Sequence, residues 1–469
     1  MIRDLLLKDV RDHLLSLRFQ VGLALALVLV SVSAFVLSTQ YQRERADYER
    51  RVSQEDAFLR QYAHVNRLGP IVRAWRPPSS AVILRGLPTE VGVESLDQNP
   101  LGELFPSMDF AAIVAIVFSL LGIVIGFDAI NGEKEQGTLR LVLTNRVRRA
   151  EIVLAKWAAG VLVLGVSLLA SLAAGLLIVQ VRAGVQWAWA DWGAMGMAGA
   201  AALAYIVVFF SLALAASALV WRSSVSVLVS LLCWVLLVLV VPSLAPYIAA
   251  QIVRLPSVAA LQRDLAYITS EERDEVGRAL SNEVRRKYGF SEMDLGEKEV
   301  RQRVATDAAF KDLYARYRAE SEAAWGEANR RQSVKARRLS EAWNGKAAQQ
   351  SDLSLTLACL SPLPPLLLAT SELSLNGFGS LENYRQQAGA WGASFGAYVR
   401  SRFAETQRAD PTFDVNDFID VSGRPRFVYG PPGLADRMSA ASGSFIALGI
   451  WNAVLLALAL AMFQRFDPR

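Results

Sequence analysis

The sequence contains little of the chemistry from which enzyme and metal sites are usually built. Its 469 residues include only two cysteines, Cys233 and Cys359, and two histidines, His13 and His64. The cysteines lie in different regions and have no metal-site spacing, so neither a disulfide framework nor a metal centre is expected. The chain also lacks the G-x-x-x-x-G-K-[ST] pattern that cradles nucleotide phosphates. We therefore expect no cofactor on this chain, and if ATP is used, another chain binds it.

Charged residues are missing from six long stretches, although they make up 20% of the chain. Each stretch is near or above the roughly 18 to 20 apolar residues that cross about 30 Å of hydrocarbon as a helix. The sequence therefore predicts an all-α integral membrane protein with six transmembrane helices. The predicted spans are residues 19–40, 110–127, 157–181, 193–221, 224–253 and 438–464.

Residues 1–18 precede the first span and have the pattern of an amphipathic helix. Apolar residues recur there at helical spacing, with basic residues between them, which is typical of a helix lying along a membrane surface. An ordinary solvated helix is the alternative. The first span is longer than the roughly 7 to 15 apolar residues of a signal sequence, so we interpret it as an uncleaved anchor. The apolar positions are Ile2, Leu5, Leu6, Val10, Leu14 and Leu17, and the basic ones are Arg3, Lys8, Arg11 and Arg18.

Lysine and arginine near the span ends predict the orientation. Four such residues lie in the N-terminal stretch and six in the connector at residues 128–156, whereas the connector after span three offers only Arg182. Short cytoplasmic loops are enriched in these residues, so we expect a multi-pass inner-membrane protein with cytoplasmic N-terminus, connector and tail, residues 465–469. The segments at residues 41–109 and 254–437 then face outward.

The outward segments are expected to be mainly helical. A charge-dense helix should continue from span one, followed by a short strand or extended packing segment at RPPSSAVILRG. Two long helices, Ser257–Lys287 and about Glu297–Lys346, are expected to pair as an antiparallel hairpin. Its predicted facing residues are Leu261, Leu265, Val276, Leu280, Phe310, Leu313, Tyr314 and Tyr317.

Two further patterns leave alternatives. Residues 353–371 are uncharged, but three prolines at 362, 364 and 365 would remove helix hydrogen bonds in the membrane, so we expect an interfacial segment. The alternative is a seventh span, which would place the C-terminus outside. The second pattern, GASFG, matches a hydrolase nucleophile elbow at Ser394, but no apolar strand leads into it and no histidine follows it.

The connector NGEKEQGTLRLVLTNRVRRAEIVLAK, Asn131–Lys156, carries the most specific pattern. Glu133, the step Gly137-Thr138-Leu139, the turn TNRVRR and Ile152 before Lys156 resemble the first cytoplasmic loop of ABC exporter permeases of the type-2 export family. The six-span layout and the N-terminal surface helix are similar too. The insertions RPPSSAVILRG, LSPLP and FGSLENYRQQ resemble the branch of the nitrous-oxide-reductase maturation permease. The chain departs from the family at Arg146 and Ala155, where proline and glycine are common.

The resemblance implies a non-catalytic permease subunit that couples ATP hydrolysis by a separate ABC ATPase, carrying ATP and Mg, to export or mechanical work. It also implies a second copy or a similar permease chain in the lipid bilayer. A possible further partner is an envelope protein bound by the outer helices, and no nucleic-acid partner is expected. The alternative is a membrane-anchored structural or signalling scaffold. The residues assigned to ATPase coupling are Glu133, Gly137, Thr138, Leu139, Arg146, Arg148 and Arg149.

Overall fold

The fold is built from helices. The computed structural model describes residues 2–61, 76–85, 108–138, 148–288, 297–409 and 417–465. Among these residues, six helices are long and apolar enough to cross a membrane. The predicted class, an all-α integral membrane protein with six spans, is confirmed.

The helices follow the chain in a simple order, and the six predicted apolar runs lie in α2, α3, α5, α6, α7 and α13. Helix α3 is continuous through Phe110–Ile113, Val114–Phe118 and Ser119–Gly126, and α7 through Ser223–Val235, Leu236–Val240 and Val241–Ile252. The others are α1 (Ile2–Leu15), α2 (Leu17–Gln61), α4 (Asn131–Glu135), α5 (Arg149–Ala183), α6 (Trp189–Leu219), α8 (Val258–Tyr288), α9 (Glu297–Thr306), α10 (Ala308–Ala358), α11 (Leu363–Leu373), α12 (Phe378–Ala409) and α13 (Leu434–Gln464).

The chain divides into two compact units. One comprises Met1–Pro242 with Cys359–Arg469, and the other comprises Ser243–Ala358. In the first unit, α6 packs against α3, α5, α7, α11 and α13, whereas α5 packs against α1 and α2. In the most apolar 18-residue stretch of α6, 78% is buried inside the structure, whereas the corresponding share in α13 is 17%. Helix α6 is therefore the central helix of this bundle.

Small residues allow the central helices to approach closely. Gly126 of α3 lies against α6, where an added Cβ would be 2.8 Å from the Ala213 Cβ and 2.9 Å from the Phe210 carbonyl oxygen. Gly160 of α5 faces the ring of the same phenylalanine, which leaves no room for a side chain. Because lipid tails are as apolar as the helix surfaces, such close van der Waals packing is what favours helix association in a membrane.

Two helices contain a single π-helical turn, Val114–Phe118 in α3 and Leu236–Val240 in α7. Within the first turn, the carbonyl of Ala115 accepts hydrogen bonds from Tyr205 Oη at 3.1 Å and from Ser119 Oγ at 2.6 Å. These two hydroxyls satisfy a backbone carbonyl in an apolar environment, where an unpaired one would be costly.

The segment RPPSSAVILRG forms a 3-10 turn at Ser79–Val82 rather than the expected strand or extended segment. The turn is held by a distant part of the chain, because Ser80 Oγ donates to the carbonyl of Ser374 at 2.5 Å. Asn376 Nδ2 donates to the Leu84 carbonyl at 3.0 Å, and the Val82 and Leu84 side chains are buried. The turn is thus fixed against the loop that follows α11.

The uncharged residues 353–371 do not form a seventh span. Helix α10 ends at Ala358, and the 11-residue helix α11 begins only at Leu363, after a turn. At 1.5 Å per residue, α11 is only about 16 Å long, too short to cross a bilayer. Helix α11 packs against α13 and α6, and Leu366 and Leu373 are fully buried. Its position relative to the membrane interface stays a prediction.

The second unit contains an antiparallel helical hairpin of α8 with α10. Contacts between the two helices run in opposite directions along the chain. At one end, Trp343 Nε1 of α10 donates to the carbonyl of Pro256, just before α8, and at the other end Lys287 of α8 pairs with Glu320 of α10. The expected long second helix is interrupted at Asp307, whose carboxylate caps α10 by accepting from two of its backbone N–H groups. Tyr317 is buried at the centre of the predicted apolar stripe, packed by Leu280, Phe310, Leu313 and Tyr314.

Candidate functional site

Helix α4, which opens the connector, is attached at its start to the end of α6. The backbone N–H groups of Ile130 and Asn131 both donate to Ser217 Oγ at 3.0 Å. The same hydroxyl donates to Asn131 Oδ1 at 3.0 Å, and the Asn131 and Ser217 side chains are fully buried. A single serine of α6 therefore holds the turn that leads from span two into α4.

Lys134 of α4 caps the C-terminus of α6. Its ammonium donates to the carbonyl oxygens of Ser217, Ala218 and Val220 at 3.2, 2.8 and 3.2 Å. The last carbonyls of a helix have no partner within the helix and carry the negative end of its dipole, so a lysine there is stabilising.

Glu135 caps the N-terminus of α7 in the complementary way. Its carboxylate accepts from the Ser223 backbone N–H at 2.8 Å and from Ser223 Oγ at 3.1 Å. The first N–H groups of a helix favour a negative partner for the same dipolar reason. Through Lys134 and Glu135, α4 joins the end of span four to the start of span five.

Glu133 faces into the bundle and belongs to a buried cluster of three charged residues, here called the Lys156 cluster. Lys156 Nζ of α5 lies 2.8 Å from Glu133 Oε1 and 3.6 Å from Asp9 Oδ1 of α1. The exposed fractions of the three side chains are 6% for Lys156, 8% for Asp9 and 15% for Glu133. The cluster connects α1, α4 and α5.

The electrostatics of α1 reflect this burial. Removal from water raises the pKa of Asp9 above its ordinary value, although the nearby Lys156 ammonium opposes the shift. Burial also lowers the pKa of His13, one helical turn further on, and Lys156 acts in the same direction. Both groups are therefore held towards their neutral forms.

Gly137 and Thr138 end α4. Gly137 adopts a φ of +71°, the left-handed conformation that glycine accommodates without steric cost, and its N–H donates to the Lys134 carbonyl at 3.2 Å. Thr138 Oγ1 lies 3.4 Å from the Glu133 carbonyl oxygen, and both end residues are exposed. Leu139 and Arg146, also assigned to coupling by the sequence, lie outside the described residues.

The two remaining predicted residues differ in their surroundings. Arg148 is exposed and precedes α5, where its backbone N–H donates to Glu151 Oε2 at 3.2 Å. The guanidinium of Arg149 donates at 3.0 Å to the carbonyl of Gln464, the last residue of α13. Arg149 thus joins the start of span three to the end of span six.

Comparison with known families identifies the family of this chain. A family model described as ABC-2 family transporter protein matches residues 4–467. The chain belongs to the ABC-2 transporter family. Comparison with curated proteins returns no match. The protein is a multi-pass membrane permease of an ABC transporter, and permeases of this family are generally non-catalytic transport components.

Two other kinds of site find no support in the described part of the permease. Ser394, the centre of the GASFG pattern, lies within α12, and its hydroxyl donates to the Trp391 carbonyl one turn earlier at 2.7 Å. A nucleophile elbow instead needs a sharp turn between a strand and a helix. No group of three or more histidine, cysteine, aspartate or glutamate side chains in the described ranges is placed to hold a metal ion.

Several residues of the permease site were missed by sequence reasoning. In the sequence, Lys134 and Lys156 served only as positive charges that predict orientation, and Ser217 was not distinguished from the apolar run around it. Asp9 had a detectable signal, because it lies one turn from both Leu5 and His13 on the face of α1 that packs against α5. A charged residue on the packed face of an amphipathic helix normally needs a partner there.

Proposed function

We propose that a separate ABC ATPase docks on the permease beside α4 and drives the transmembrane helices through it. The observation that carries this proposal is the attachment of α4 itself. It follows span two, it caps spans four and five through Lys134 and Glu135, and it is paired with span three through Glu133. A displacement of α4 is thereby transmitted to four spans.

The proposed docking surface is the exposed rim of this site. Exposed polar or charged side chains are present at Glu135, Gln136, Thr138 and Arg148, whereas Glu133 faces inward. We therefore assign docking to the rim, including Arg148, and transmission to Glu133. This division supports the coupling role that the family resemblance gave to the connector as a whole.

The proposal places the site in the cytoplasm, because ATP is there, and the permease in the inner membrane with both termini cytoplasmic. It includes a second permease chain and either export or mechanical work, as the resemblance implies. A relation to the nitrous-oxide-reductase maturation branch is part of the proposal, and it rests on the sequence insertions alone. Hairpin α8 with α10 then faces outward and offers its long helices to an envelope protein.

The test is co-purification of the permease with each ABC ATPase of its source genome that lacks a membrane domain. Arg148→Glu is expected to weaken the complex by roughly a hundredfold or more, because like charges across an interface cost several kcal/mol. Arg338→Glu, an exposed reversal in α10, is the matched control and should leave binding unchanged.

Glu133→Gln separates transmission from docking. This variant keeps the size of the side chain but loses the charge paired with Lys156, so the ATPase should still bind while ATP turnover no longer depends on the permease. If Arg148→Glu retains a bound, fully coupled ATPase, the rim is not the docking surface. The scaffold alternative would be favoured by a permease that binds an envelope partner but no ATPase.

A further inference from the structure

The Lys156 cluster has an imbalance of charge. It brings two carboxylates, Asp9 and Glu133, to one ammonium in a buried position. Each carboxylate directs one oxygen towards Lys156, and the other oxygens, Asp9 Oδ2 and Glu133 Oε2, are buried and find no hydrogen-bond partner among the described residues. An ionised carboxylate without full compensation is strongly disfavoured in such a place.

The other charged groups nearby do not correct the imbalance. Lys8, on the same helix as Asp9, is exposed to solvent. His13 faces Lys156 and Asp128, and burial favours its neutral form. Asp128 is in turn paired with Arg18 of α2 at 3.0 Å. With both carboxylates ionised, the cluster therefore holds one excess negative charge.

We propose that the Lys156 cluster holds one proton, on Asp9, whenever α1 is packed against α5, so that the attachment of α1 depends on pH. Asp9 is the site of the proton for two geometric reasons. Lys156 lies closer to Glu133, at 2.8 Å against 3.6 Å, and the side chain of Asp9 is the more buried of the two, at 8% against 15% exposed. This inference goes beyond the proposed function and does not depend on an ATPase.

The direction of the effect follows from linkage. Because the pKa of Asp9 is higher in the packed state than in the free state, packing of α1 is fully supported below the ordinary pKa and is lost as pH rises through the raised value. His13 acts in the opposite direction: its lowered pKa means that acid, not alkali, weakens the packing of α1 through this group.

The test measures hydrogen-exchange protection of the α1 amides in the full chain in lipid nanodiscs, corrected for intrinsic rates. From about pH 5 to about pH 9, wild-type protection is expected to fall by up to tenfold per unit between the ordinary and the raised pKa of Asp9, the limit for one proton, and to level off above the raised pKa. Asp9→Asn, a neutral side chain of the same size, should keep α1 protected without this slope. His13→Gln should leave the alkaline fall in place.

An infrared measurement addresses the proton directly and does not require that the variant pack normally. At a pH where wild-type α1 is protected, a band of a buried protonated carboxylic acid should be present and should disappear in Asp9→Asn. The inference is overturned by a flat wild-type protection profile, by a slope that persists in Asp9→Asn, or by absence of the Asp9-dependent band.

Discussion

Two ion clusters in this permease hold a buried carboxylate in different surroundings. The Lys156 cluster has two carboxylates and one ammonium, whereas in hairpin α8 with α10 Glu272 contacts two cations, which also pair with the more exposed carboxylates of Glu271 and Glu327. Glu272 Oε1 lies 2.7 Å from Lys335 Nζ, and its Oε2 lies 3.2 Å from Arg331 Nε. Lys335 and Arg331 keep 49% and 44% of their side chains exposed, so water shares their charge.

The comparison shows how the surroundings set the direction in which the pKa of a carboxylate is shifted. Hydrogen bonds from Lys335 and Arg331 hold the pKa of Glu272 below its ordinary value. Removal from water raises the pKa of Asp9 despite a nearby ammonium. In the Glu272 cluster, two partly exposed cations therefore compensate a carboxylate whose side chain is only 2% exposed, whereas the Lys156 cluster depends on which of its members is charged.

The largest effect is expected from a test of the positions of the two clusters. In the proposed topology, α4 follows two spans and the hairpin follows five, so the two are expected on opposite sides of the membrane. In a chain with Cys233 and Cys359 replaced by serine, Ser333→Cys should react completely with an impermeant thiol reagent on intact cells, and Thr138→Cys should not. Both positions are exposed, which makes them a matched pair. If Thr138→Cys is labelled and Ser333→Cys is not, the proposed orientation is wrong and the opposite orientation is supported.

Removal of the shared cation should have the next largest effect. Lys156→Met leaves two buried carboxylates without a partner and is expected to lower the free energy of unfolding by about 3–5 kcal/mol, measured by denaturant titration in mixed micelles. Lys335→Met is the matched variant, and it should be milder because Arg331 still pairs with Glu272. Equal losses would mean that the two environments do not differ as described.

The pH dependence of the hairpin should mirror that of α1. Because the pKa of Glu272 is lowered on folding, its contribution is present above the ordinary carboxylate pKa and is lost as pH falls through the lowered one. Hydrogen-exchange protection of α8 in the full chain should therefore decrease in acid, whereas that of α1 decreases in alkali. Glu272→Gln should flatten the acid response. A persistent acid loss in that variant would assign it to other carboxylates.

The sequence predicted the parts of this permease that depend on periodicity and length. Six uncharged runs gave the spans, and apolar spacing gave the hairpin stripe around Tyr317. It did not predict contacts between distant residues. Nothing in the sequence pairs Asp9 with Lys156 across 147 positions or makes Ser217 a partner of Asn131, since such pairs depend on how helices pack. The short strand or extended segment expected at RPPSSAVILRG was wrong, and the contact there of Ser80 with a residue far along the chain was likewise not predictable.

The smallest effect should show whether α4 is held by the Lys156 cluster or by its neutral hydrogen bonds. Ser217→Ala leaves the buried N–H groups of Ile130 and Asn131 without their acceptor, which should cost about 1–3 kcal/mol. Hydrogen exchange at these two amides should accelerate while α1 remains protected. Ser167→Ala, whose hydroxyl bonds only within its own helix to Val163, is the matched control and should be nearly neutral. If Ser217→Ala also releases α1, the charged and neutral contacts act as one unit, and the independent behaviour of the Lys156 cluster is refuted.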